Sequence, residues 1–107
     1  MKSDLIASAV EFSDTIRTTT HAHAFDKAVA RFIDILARVP DAPAGSLSEV
    51  GVKTLLDSSE QVIARIEERV AGDDDSPAGQ QRLVKRIYEI RARLEEVDRW
   101  RRHYLKT

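Results

Sequence analysis

Apolar residues recur at helical spacing along almost the whole chain, and the longest such run lies near the C-terminus. Its members are separated by alternating steps of four and three residues, and they are Leu83, Ile87, Ile90, Leu94, Val97, Arg101 and Tyr104. A heptad pattern of this kind places all its members along one side of a helix. The spacing therefore predicts a helix over residues 77–105, with Leu94 among its most buried residues.

A second long helix is predicted over residues 47–71. Ser46 and Glu49 have the spacing of a capping box, in which each side chain accepts a backbone N–H of the first turn. The apolar residues that follow at helical period are Val52, Leu55, Leu56, Val62, Ile63, Ile66 and Val70. Gly72 stands just past the end, where a left-handed glycine often closes a helix, and Gly51 in the first turns indicates close packing.

The link between these two helices is short and rich in helix-start signals. Ser76 is a suitable N-cap, and Pro77 suits the first helical position because that position needs no N–H donor. Asp73–Asp75 precede them, where carboxylates are stabilised by the positive end of a helix dipole. Two long helices with a short link are expected to pair as an antiparallel hairpin.

The first 39 residues carry two apolar stripes that point in different directions. On one continuous helix the stripes would be rotated by about 150° from each other, and supercoiling removes only part of that rotation. We therefore predict two helices, over residues 3–18 and 24–39, with a break within 18–24. Asp26 is the expected cap of the second helix, and Pro40 ends it. The alternative is one long helix whose two faces serve two partners.

The fold class predicted is an all-α, four-helix bundle-like domain formed by residues 1–107 and built on the hairpin 47–71 and 77–105. The chain has 107 residues and no cysteine, so disulfides, thiolate nucleophiles and cysteine-bound metals are excluded. It shows neither a secretory leader nor an apolar run long enough to span a membrane. We expect a cytoplasmic protein without a cofactor.

Few residues are arranged for chemistry. His21 and His23 would point about 200° apart on a helix, and His103 is distant in the sequence, so a metal site is not expected. The chain has no nucleophile elbow and no glycine-rich phosphate loop, and its serines read as caps or helix residues. The sequence therefore gives no reason to predict an enzyme.

Charge is distributed unevenly along the chain. Residues 82–107 hold nine Lys or Arg and four acids, whereas residues 1–81 hold eight and fourteen. Glu89–Arg93 and Glu95–Arg99 are spaced for ion pairs along the last helix. The basic tail with its two aromatic residues is typical of nucleic-acid contacts. Cations at a helix C-terminus explain the same tail equally well. An acidic protein or intersubunit partner and a membrane surface are further alternatives.

The function predicted from these features is a small helical protein-interaction or adaptor module that self-associates through its long helices. The residues expected to carry the interaction are Leu94, Val97, Arg99, Trp100, Arg101, Arg102 and Tyr104. In a homodimer with two last helices antiparallel, Asp73–Asp75 of each chain would face the basic end, residues 99–106, of the other. The alternative is a nucleic-acid-binding protein that uses the basic helix 82–107.

Overall fold

Four α-helices make up most of the protein in a computed structural model that describes residues 5–72 and 76–105. They are α1 (Leu5–Thr18), α2 (Ala22–Leu36), α3 (Glu49–Ala71) and α4 (Pro77–Tyr104), with a short 3-10 helix at Val39–Asp41. Within the described residues no strand occurs. The all-α, bundle-like prediction is confirmed, and the first two residues of the predicted N-terminal helix lie outside the described part.

The helices form a ring in which each packs mainly against two neighbours. Helix α1 packs against α2 and α3, and α4 packs against the same two helices and the 3-10 helix. The chain from α2 to α3, residues 37–48, therefore crosses one end of the bundle diagonally. Val39 and Leu47 of this link are buried and cover that end, which we call the closed end.

Contacts between helix termini define the direction of each helix. At the closed end the first turn of α3 lies beside the first turn of α1, because a Cβ added to Gly51 would lie 3.3 Å from Cγ1 of Ile6. The last turn of α4 lies there too, since Nε1 of Trp100 donates a hydrogen bond to the carbonyl of Ala42 at 2.9 Å. Thus α1 and α3 run one way and α2 and α4 the other. The close packing predicted at Gly51 is confirmed.

The predicted break between the first two helices is confirmed at residues 19–21. Two arginines of α3 hold this turn: Arg65 donates to the carbonyl of Thr19 at 3.4 Å, and Arg69 to that of Thr20 at 2.9 Å. Their guanidinium carbons also lie 5.4 and 4.9 Å from the ring centroid of buried Phe25. The arginines therefore satisfy two carbonyls of the turn between α1 and α2, and they cover an aromatic face.

The second helix, predicted at about 24–39, begins two residues and ends three residues earlier, and its predicted cap is wrong. Helix α2 begins at Ala22, so Asp26 lies inside it and forms an ion pair with Arg86 at 3.2 Å instead of a cap. The helix ends at Leu36, three residues before the predicted end at 39. Pro40 has no N–H to donate to the carbonyl of Leu36, and its ring would clash with that carbonyl in an α-helix, so the chain turns into the 3-10 helix.

The predicted cap of α3 is wrong by two residues. Ser48 is the N-cap, and its Oγ accepts the N–H of Gly51 at 3.0 Å. Ser46 belongs to the link, where its hydroxyl donates to the carbonyl of Pro43 at 2.6 Å. The capping-box spacing favours Ser46, but the shape of the link places Ser48 at the start of the helix.

At the other end of α3, Gly72 is right-handed, with φ −70°, and not left-handed as predicted. Its N–H continues the helical ladder by donating to the carbonyl of Glu68 at 3.0 Å. Among the described residues the glycine with positive φ is Gly45, at 84°, in the link. The start of α4 follows the prediction, because Ser76 accepts the N–H of Gly79 at 3.1 Å and Pro77 is the first helical residue.

The buried face of α4 follows only part of the predicted heptad. Leu83, Ile90 and Val97 are buried, but Leu94 is half-buried, so the prediction that it is among the most buried residues is wrong. A heptad drifts by about 20° per repeat on a straight helix, and the buried face shifts accordingly from Arg101 to Trp100. Leu94 is left at the edge of the α3–α4 contact.

This difference in burial predicts different costs of truncation. Ile90→Ala removes a fully buried side chain and should lower the free energy of unfolding by about 2–5 kcal/mol. Leu94→Ala should cost about 1–2 kcal/mol, since part of its side chain remains in water in the wild type. Urea denaturation of both variants gives the comparison. Equal losses would contradict the rotation of α4 described above.

Candidate interaction surface

The residues predicted to carry the interaction do not lie on one surface. Val97 and Trp100 are in the core, with exposed fractions of 0% and 4%. The Trp100 indole packs at the closed end and donates its N–H to the link. These two side chains therefore hold the bundle together and leave almost no area for a partner.

Leu94, Arg99 and Arg102 lie together in an open groove between α3 and α4. The groove has a volume of about 560 Å³. Its full lining is Leu56, Glu60, Arg91, Leu94, Glu95, Asp98, Arg99 and Arg102. Two half-buried leucines thus lie among six charged side chains, and we call this the α3–α4 groove.

Tyr104 lies in a separate aromatic cluster at the closed end. Its ring centroid is 4.9 Å from that of Trp100 and 4.5 Å from that of His103. A pocket of about 300 Å³ beside it is lined by Pro40, Glu96, Arg99, Trp100, His103 and Tyr104. Arg99 therefore borders both the groove and this pocket, and Tyr104 is 43% exposed.

Much of the positive charge of α4 is paired within the chain. The ion pairs of its arginines are Arg86 with Asp26 and Glu89, Arg93 with Glu96, and both Arg101 and Arg102 with Asp98. The predicted pair Glu89–Arg93 is wrong, because Glu89 pairs with Arg86 and Arg93 pairs with Glu96. The basic helix is therefore less free to attract an anionic partner than its composition suggests.

Asp98 is the most heavily used of these acids. Arg101 donates to Oδ1 at 2.6 Å, and Arg102 lies 2.8 Å from Oδ2. The hydrogen bond from Arg101, followed by the charges of Arg102 and Arg101, holds the pKa of Asp98 below its usual value. The carboxylate stays ionised and links two successive arginines at the end of α4.

The other four charged side chains of the groove are not paired within the described residues. Within residues 5–72 and 76–105, Glu60, Arg91, Glu95 and Arg99 form no ion pair. The predicted pair Glu95–Arg99 is therefore wrong. Two acids and two bases are left facing water around Leu56 and Leu94, so both signs of charge are available to a partner.

Apolar area continues along the same hairpin toward the N-terminus of α4. Val84 and Tyr88 are 38% and 70% exposed, and Ile87 and Val70 are partly buried. A second concavity of about 390 Å³ contains Val70 and Val84. The interaction residues predicted from the sequence do not include Val84 and Tyr88, because these two residues lie outside the inward heptad.

Neither a membrane-spanning helix nor a metal-binding group occurs in residues 5–72 and 76–105. No helix there is long and apolar enough to cross a membrane. No group of three or more His, Asp or Glu side chains among those residues is placed to hold a metal ion. In comparisons with known proteins, no family model matches the chain, and no curated protein or solved structure matches it either. The fold and surface therefore define its class, a small helical bundle with an amphipathic groove.

The pairing at Asp98 predicts a change in one titration. Arg101→Gln removes the hydrogen bond that contributes most, so the pKa of Asp98 should rise toward its ordinary value. Because the wild-type pKa is lowered by folding, the stabilisation is present above the ordinary carboxyl pKa and is lost as pH falls through the lowered one. Carboxyl-carbon NMR measures the shift.

Arg93→Gln provides the control for this titration, because Arg93 is paired with Glu96 and does not contact Asp98. It should leave the pKa of Asp98 unchanged. An identical Asp98 pKa in the wild type and in Arg101→Gln would contradict the role assigned to the hydrogen bond.

Proposed function

We propose that this protein is a small helical protein-interaction module that self-associates through the outward face of its α3–α4 hairpin. The observation that carries the proposal is the ring of unpaired charges of both signs around half-buried leucines in the α3–α4 groove. The proposal includes a cytoplasmic location and assigns no enzymatic activity.

A surface with equal numbers of unpaired acids and bases suits a second copy of itself. In a two-fold dimer the same patch is used twice, so each acid on one copy can meet a base on the other. Exposed ion pairs contribute only about 0–1 kcal/mol each. Affinity must therefore come from apolar area, which Leu56, Leu94, Val84 and Tyr88 supply on this face.

The inward heptad of α4 is not available for this association. Leu83, Ile90 and Val97 are buried against the rest of the same chain, so a coiled coil through them would require the bundle to open. The contribution predicted for Asp73–Asp75 and Lys106 lies outside the described residues and stays a prediction. The proposal rests on the outward side of α4 and the groove beside it.

Nucleic-acid binding by the basic helix 82–107 stays an alternative prediction. Four of its arginines are already paired with acids of the same chain, and they are Arg86, Arg93, Arg101 and Arg102. Fewer cations are therefore available to phosphates. A protein that neutralises several phosphates is released from heparin only at high salt. Elution at low salt would support the self-association proposal over this alternative.

Self-association predicts a molar mass of twice the 12.0 kDa of the chain at high micromolar concentration. Tyr88→Ser should weaken the dimer by about 1–2 kcal/mol, because a large exposed aromatic in an interface contributes much of its affinity. Size-exclusion chromatography with light scattering, over a concentration series, measures both effects.

Val50→Ser is the matched control for Tyr88→Ser. Val50 is also highly exposed, at 75%, but it lies at the start of α3 outside the groove lining. Neither variant removes core packing, so both should melt like the wild type at concentrations where the chain is monomeric. A wild-type mass of 12.0 kDa at high micromolar concentration, or equal weakening by both variants, would overturn the proposal.

A further inference from the structure

Helix α4 carries a second ladder with heptad spacing on its outward side. The steps are again alternately four and three residues, and the members are Val84, Tyr88, Arg91, Glu95, Asp98 and Arg102. All six are exposed or half-buried. A ladder of this spacing forms a single stripe along a helix, so α4 presents one continuous stripe to its own core and another to solvent.

We propose that a second copy of this chain docks antiparallel on this outward ladder, with the two-fold axis level with residue 93. This inference rests on the self-association proposed above and adds its register. In an antiparallel pair, residues at equal distances on either side of the axis face each other. Arg91 then faces Glu95 of the other copy, Tyr88 faces Asp98, and Val84 faces Arg102.

These three layers are chemically complementary. Arg91 and Glu95 form no ion pair within the described chain, so each is free to pair across the axis. The phenol of Tyr88 can donate to the Asp98 carboxylate, whose two oxygens already accept from arginines. The aliphatic stem of Arg102 covers Val84 while its charged group stays in water.

Neighbouring registers of the same ladder lose this complementarity. Moving the axis to between residues 96 and 97 places Arg91 opposite Arg102 and Glu95 opposite Asp98, so like charges repel. Moving it to between 89 and 90 leaves Asp98 opposite Gln81 and gives no acid–base pair. The charge pattern therefore selects the register, while the apolar side chains supply the affinity.

Half-buried Leu94 adds to the contact in the selected register. It lies one position from the axis, so the two copies of Leu94 are offset by only about 3 Å along the helices. Ile87 lies on the same edge of the ladder. These two side chains are the partly buried aliphatic members of the predicted inward heptad, and docking of a second copy would cover them.

Charge reversal tests the register. Arg91→Glu and Glu95→Arg each place like charges across the axis twice, so each alone should raise the dimer Kd by about tenfold or more. Mixed together, the two variants should form a heterodimer with nearly wild-type Kd, because both cross-axis contacts become acid–base pairs. The double variant should dimerise with itself. Analytical ultracentrifugation measures each Kd.

Cross-linking provides an independent test, because the chain has no cysteine. Ala92→Cys introduces a thiol at an exposed position. In the proposed dimer the two copies of residue 92 are offset by about 3 Å along the helices. The second variant is Lys85→Cys. Lys85 lies seven residues before Ala92 on the same side of α4, and in the proposed dimer its two copies are offset by about 24 Å along the helices. A short bis-maleimide should cross-link the first variant and not the second.

The outcomes separate this inference from the proposal on which it rests. If the wild type is monomeric, self-association and register both fail. If the wild type is dimeric but the mixed charge variants do not form a heterodimer, self-association stands and the register is wrong. Equal cross-linking of Ala92→Cys and Lys85→Cys would also overturn the register.

Discussion

The buried indole of Trp100 fixes the rotation of α4, and the character of every other face of that helix follows from it. Its N–H is bonded to the carbonyl of Ala42, and its ring is 4% exposed, so the last turn of α4 is held against the link over the closed end. Once Trp100 points inward, Arg101 turns away from the core and Leu94 moves to the edge of the α3 contact. The outward ladder through Arg91 and Glu95 is then left facing solvent.

The two ends of the bundle are closed by different chemistry. At the closed end, apolar link residues and Trp100 fill the space between helices. At the other end, Arg65 and Arg69 cover Phe25 and satisfy the carbonyls of the turn between α1 and α2. On the side of the hairpin, the α3–α4 groove places two half-buried leucines beside unpaired charges of both signs. This distribution is the reason that we assign the interaction to a side of the bundle.

Much of the fold could be predicted from the helical period of the apolar residues and from the positions of glycine and proline. Four amphipathic segments with few of these helix-breaking residues indicate an all-α fold class. The break at residues 19–21 followed from the change in stripe direction. Errors arose where several local solutions have similar energies: Ser46 or Ser48 as a cap, a left- or right-handed Gly72, and Arg101 or Trp100 at the end of the buried face. Tertiary contacts decide each of these. The contacts of Arg65 and Arg69 with Phe25 join residues 40 or more positions apart, and no local sequence pattern predicts them.

The candidate surface was harder to predict because it depends on which charges remain unpaired after folding. A sequence shows Glu95 four residues before Arg99, yet Arg99 borders the aromatic pocket and the neighbouring acids bind other arginines. An interface lined by such charges loses hydration when it forms, and this cost offsets much of the attraction between opposite charges. The buried members of the inward heptad of α4 supply apolar area that stabilises the fold, whereas the outward ladder combines charges of both signs with the exposed apolar side chains Val84 and Tyr88. For the self-association that we propose, a helix divided in this way favours reversible association of folded monomers over an obligate dimer.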